Sequence, residues 1–129
     1  MSLYTLLRPA LFAFSPEVAH KIVIDLLAEK LIPAEPRTEF STLKQTLFGL
    51  QFANPVGLAA GFDKNAEALP GLQKQGFGFV ECGTVTPLPQ AGNPKPRLFR
   101  LPCDEAVVNR LGFNNKGLDV FVENMRRTQ

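Results

Sequence analysis

The chain has 129 residues, 45% of them apolar and 20% charged, with a net charge of +2. That is the size and balance of one ordinary globular domain. It excludes a disordered chain, and so small a charge gives no support to a nucleic-acid partner. Cys82 and Cys103 lack the spacing of a metal or redox motif. With no secretory signal visible, both are expected as reduced thiols in a cytosolic compartment, and no metal site is expected.

Residues 1–33 have a helical pattern. Leu3, Leu6, Leu7, Ala10, Leu11 and Phe14 recur at three- and four-residue steps. "SPE" at 15–17 then reads as a second helix start. Ser15 is placed to cap, Pro16 suits the first helical position, and Glu17 faces the positive end of the dipole. The apolar face continues through Val18, Ile22 and Leu26 to about Leu31, and Pro33 and Pro36 end it. Residues 34–42 read as a polar linker, so the expected division is a helical segment over 1–36 and a second unit over 37–129.

"TLFGLQFANP" (46–55) alternates around Gly49 and predicts a small hairpin. "PVGLAAGF" (55–62) and "FGFVECGTV" (77–85) predict two buried strands, with a helix over 66–76 between them. Strand, helix, strand is the parallel crossover unit. A proline-rich loop follows over 86–97. Residues 97–102 and 106–113 predict a second hairpin, and 116–127 a last helix with Leu118, Phe121, Val122 and Met125 on one face. Two parallel strands cannot close a sheet. The expected fold class is therefore α/β, the front part of a (β/α)8 barrel preceded by a short helical pair, since such a barrel takes about 250 residues. The alternative is a small α+β domain complete in itself.

In parallel α/β folds, chemistry collects past the carboxyl ends of strands. The first such place is "AGFDKN" (60–65). Ala59, Ala60 and Gly61 have almost no side chains, so a flat ligand can lie on their backbone. Lys64 then offers a fixed cation at the edge of an electron-accepting ring. Equally, Gly61 can serve a plain turn, Asp63 can cap the helix or hold the lysine, and Lys64 can point into solvent. The second place offers Thr84 and Thr86, which are also ordinary strand residues. The third is "NRLGFNN" (109–115), where Asn109, Asn114 and Asn115 match a planar ring bearing carbonyl and N–H groups, and Arg110 matches a carboxylate. Asn and Gly also form turns. Arg97 and Arg100 fall on opposite faces of a strand, so one of them can be solvated. His20, the sole histidine, reads as a boundary residue of the second helix.

"NPVGLAAGFDKN", "GFGFVECGTVTPLPQAGNPKPRLFRLP" and "VVNRLGFNN", with "SPEVAHK" in the helical N-terminus, resemble class 2, quinone-linked dihydroorotate dehydrogenase across essentially the whole chain. The resemblance implies an FMN-binding (β/α)8 barrel. It implies cofactor contacts from Ala60, Gly61, Phe62, Asp63, Lys64 and Thr84. It implies substrate contacts from Lys64, Asn109, Arg110, Leu111, Gly112 and Phe113, to dihydroorotate and its product orotate in pyrimidine synthesis. The helical pair becomes a greasy funnel resting peripherally on the cytoplasmic face of a bacterial-type cell membrane, with His20 and Arg100 near the head group of a membrane quinone. The family's catalytic serine and its grip on the flavin phosphate are expected beyond Gln129, and neither cysteine matches that base. The isolated chain is thus expected to be inactive. The rival reading is a non-enzymatic truncated product or a membrane- or partner-binding module built on the helical pair.

Overall fold

Two helices open the chain, as the periodicity requires: α1 over Leu3–Ala13 and α2 over Pro16–Ala28. The computed structural model describes residues 3–34 and 41–128. Most of the expected linker, with the proposed boundary at 36, therefore lies outside the described residues. Ser15 takes the cap position of α2 but makes no side-chain capping bond; its carbonyl accepts from Ala19 N–H at 2.9 Å instead. The helix ends earlier than Leu31. Lys30 adopts φ 58° and Leu31 N–H reaches back to the Leu26 carbonyl at 2.8 Å, a C-terminal closure usually given to glycine.

β1 (Gln45–Leu47) and β2 (Leu50–Phe52) form the first hairpin. Its two-residue turn, Phe48–Gly49, has φ of 53° and 78°, the positive pair that matches strand twist. β3 (Gly57–Leu58) and β4 (Phe79–Val80) are parallel, with α3 (Leu69–Leu72) in the connection. These elements are shorter than the sequence leads one to expect. Regular pairing stops after Leu58 because the chain turns at Gly61, φ 103°, where Gly61 N–H bonds to the Gly83 carbonyl at 2.8 Å. The helix is one turn because the Asp63 carboxylate takes the N–H groups of Glu67 (2.9 Å) and Ala68 (2.8 Å), holding those residues in a turn.

β5 (Leu98–Leu101) and β6 (Ala106–Asn109) form the second hairpin in antiparallel register, Leu98 opposite Asn109. The second arm leaves the ladder at residue 110, where Arg110 N–H makes a last bond to the Arg97 carbonyl at 2.9 Å. α4 (Leu118–Arg126) follows. Asn115 leads into it: its Oδ1 accepts from Gly117 N–H at 2.9 Å while its Nδ2 donates to Thr86 Oγ1 at 2.9 Å.

The described strands pair two by two, and no closed barrel is formed. The core lies where α2 crosses the parallel unit. Ile24 and Leu27 of α2 pack on Ala68 and Leu72, with Leu58, Phe62 and Val80 at the edge. Gly71 allows that approach, since a Cβ there would overlap the Leu27 carbonyl. Among the described residues, no helix is long and apolar enough to cross a membrane. On α1 and just past its end, however, Tyr4, Leu6, Leu7, Phe12 and Phe14 are all exposed. The packing sets α2 directly beside the ends of β3 and β4, which is where the polar residues gather.

Candidate active site

The turn after β3 is built to present Lys64. Asp63 is 1% exposed and its carboxylate faces the two backbone N–H groups named above. Asp63 therefore caps the turn rather than holding the lysine, and it is not among the residues that line the larger cleft beside Lys64. Pinning Asp63 inward turns the next side chain the other way. Lys64 Nζ donates to Asn114 Oδ1 at 2.6 Å, across 50 residues of sequence. Burial and the nearby Arg97 guanidinium push the Lys64 ammonium below its ordinary range, while Glu17 pulls the other way.

A cleft of about 770 Å³ opens beside it, of the size that takes a small-molecule ligand. The backbone of Ala59, Ala60 and Gly61 forms one side, with Phe62, Lys64 and Thr84 next to it. Asn109, Arg110, Leu111, Gly112 and Phe113 form the other. A Cβ on Gly61 would meet nothing within 4 Å, so the strand end presents bare backbone to open space. That is what a flat, aromatic cofactor needs for close approach.

Apart from the Asp63 side chain, the residues expected at the cofactor and substrate sites thus wall one cavity. The two expected at a quinone site do not meet so closely. His20 lines the main cleft, with Nε2 at 2.7 Å from the Phe62 carbonyl and its ring edge-on to Phe62 at 5.1 Å. The carbonyl can only accept, so Nε2 carries the proton. Arg100 lines a different cavity, with Phe12, Ser15 and Pro16. Its guanidinium donates to the Phe14 carbonyl at 2.9 Å and stacks 4.4 Å over the Phe12 ring. It thereby closes the end of α1, a use of the C-terminal carbonyls that sequence spacing does not disclose. Arg97 is not solvated either; it is 7% exposed and paired with Glu17.

Asn93, which no local sequence pattern marks, lines the cleft and donates from Nδ2 to the Arg110 carbonyl at 2.7 Å. Its place in a proline-rich loop gave no signal. Cys82 sits on the reverse side of β4, with burial pushing its thiol up to about 11, and is not a nucleophile for this cleft.

Residues 42–129 match the family model described as dihydroorotate dehydrogenase. The chain belongs to the dihydroorotate dehydrogenase family. It is 53% identical over 131 aligned residues to a dihydroorotate dehydrogenase (quinone) of Ectopseudomonas mendocina, covering 96% of this chain and 37% of that protein. It is 56% identical over 124 residues to the protein of the same name from Azotobacter vinelandii, covering 91% of this chain and 35% of that one. Among solved structures, it resembles Eimeria tenella dihydroorotate dehydrogenase in complex with ferulenol, with a TM-score of 0.85 and 52% identity over 88% of this chain and 30% of that one. The ligand-free form of the same enzyme gives 0.83, also at 52% identity, over 88% of this chain and 32% of that one. The chain spans about a third of the length of the curated relatives it matches.

Proposed function

We propose that this chain supplies the cofactor floor and the substrate loop of an enzyme that oxidises dihydroorotate to orotate, with FMN as carrier and a membrane quinone as final acceptor. In this reading residues 37–129 are the front part of a (β/α)8 barrel, and the remaining strand–helix units belong to the part of the relatives' length that this chain does not span. The helical pair within residues 1–36 rests peripherally on the cytoplasmic face of the membrane. The single observation that carries the proposal is the cleft itself: the Lys64 ammonium and residues 109–113 face one space floored by bare backbone.

The residues present fit the cofactor. Ala59, Ala60 and Gly61 admit a flat ring against the main chain, and Thr84 offers a hydroxyl at its edge. When bound, FMN supplies the two-electron acceptor for the hydride that leaves the substrate carbon. Lys64 stands at the junction, where a fixed positive charge favours electron density arriving on the acceptor side. Asn109 offers an amide that both donates and accepts, as the pyrimidine ring requires. Arg110 offers a guanidinium for the substrate carboxylate. The neighbouring proton goes to a base that belongs to sequence outside these residues. His20 and Arg100 stand on the helical side, where the quinone head group is to enter.

The test is anaerobic mixing of the full-length protein with dihydroorotate. Bleaching of the flavin band, then recovery on adding a quinone analogue, is the expected course. A full-length protein that carries flavin but is not bleached by dihydroorotate would contradict it. The isolated 129-residue chain is expected to be colourless and inactive, and robust flavin-dependent turnover by it would refute the shared-barrel reading.

A further inference from the structure

Arg97 takes no part in the chemistry above, yet it is buried and each of its three side-chain nitrogens donates a hydrogen bond. Its Nη2 donates to Glu17 Oε1 at 2.6 Å and its Nε to the same oxygen at 3.2 Å. Nη1 donates to the carbonyls of Ala91 at 2.6 Å and Asn93 at 3.0 Å. Asn93 in turn holds the substrate loop twice, through Nδ2 to the Arg110 carbonyl at 2.7 Å and through its N–H to the Leu111 carbonyl at 3.1 Å. Gly112 packs on Asn93 so closely that an added Cβ would sit 2.9 Å from the Asn93 backbone nitrogen. A continuous run of polar contacts therefore leads from the first turn of α2 to residues 110 and 111, with Gly112 packed against its end.

A second observation is independent of that run. Glu17, Lys64, Lys95, Leu111 and Asn114 line a second cavity, of about 450 Å³, on the α2 side of the lysine. The charges of Arg97 and Glu17 both reach Lys64, in opposite senses. Desolvation offsets part of the attraction in a half-buried ion pair, so stability alone is a modest return for placing one here. Fixing a loop is a better use of it.

We propose that Glu17 and Arg97 are a positioning pair: they hold the Asn93 strap against residues 110–112, so that the seating of α2 sets affinity for the substrate. Neither side chain touches the substrate. The helical pair then does more than admit the acceptor, since its second helix is wired to the opposite side of the cleft. The inference rests on the proposed function of the cleft.

The experiment uses the full-length protein and a soluble dye as acceptor, so that quinone entry does not enter the result. Orotate affinity is read from its perturbation of the flavin spectrum, and melting temperature is read alongside. Glu17→Gln is expected to weaken orotate by at least about fivefold, the lower end of coupling between sites. Glu17→Asp should restore part of it. The double variant Glu17→Gln/Asn93→Ala should bind orotate no worse than Asn93→Ala alone, because both changes cut the same run of contacts. Unchanged orotate affinity in Glu17→Gln and Arg97→Lys, with only the melting temperature lowered, would overturn the proposal. So would full additivity in the double variant. A wild-type full-length protein that binds no orotate at all would instead overturn the functional reading, and this inference with it.

Discussion

The two halves of α2 are attached to the rest of the protein by different physics. Its C-terminal half packs Ile24 and Leu27 on Ala68 and Leu72, a dry contact that a glycine at 71 allows to close. Its N-terminal half is attached through polar groups, Glu17 to Arg97 and His20 to the Phe62 carbonyl. Apolar contact is non-directional and tolerates small shifts. Charge-assisted hydrogen bonds fix angle as well as distance. One helix thus has an end that anchors and an end that aims, and the aiming end is the one beside the cleft.

The contrast is broken most severely at the anchoring end. Leu27→Ala leaves a cavity against Ala68 and Leu72, and is expected to cost about 2–5 kcal/mol of unfolding free energy. Denaturant melts of the full-length protein measure it; a cost near zero would mean that α2 is not held by this core.

The aiming end is sharpened by acid. The Arg97 hydrogen bond and charge, aided by Lys95, hold the Glu17 carboxyl below its ordinary value of 4.5, against a smaller opposing effect of burial. A depressed carboxylate contributes stability above its unfolded value, and that contribution disappears as the pH falls through the folded one. The difference in urea midpoint between wild type and Glu17→Gln should therefore be full near neutral pH and shrink below about 4.5. A difference that persists unchanged into acid would show that the carboxylate charge is not what Arg97 uses.

The smallest effect lies far from both ends. Phe48, at φ 53° in the first hairpin turn, is fully exposed. Phe48→Asn gives the turn a residue that tolerates positive φ, and is expected to be neutral or stabilising by about 0.5 kcal/mol. A clear loss would mean that this tip is covered in the full-length protein.

Which parts were legible follows from the range of the interactions. The hairpins and the crossover unit could be read because alternation, turn residues and small-residue runs are local signals. The cleft was legible for the same reason, since Gly61, Lys64 and the 109–113 stretch each stand just past a strand end. Element lengths were not, because Asp63 diverts the Glu67 and Ala68 N–H groups and Gly61 turns the chain early. The burial of Arg97 was hidden because its partner lies 80 residues away, and nothing near "RLFR" announces it. Arg100 was hidden likewise; its contacts to the end of α1 cross 86 residues.

In the proposed function, Lys64 and the loop over 109–113 serve one ligand-binding cleft. The most direct measurement is an orotate titration of the full-length protein and its Lys64→Ala variant, followed through the flavin spectrum. The expected result is a clear spectral shift in the wild type and a loss of binding of about tenfold or more in the variant, as removal of one charged partner in a polar site brings. A variant that retains its flavin and binds orotate as tightly as the wild type would contradict it.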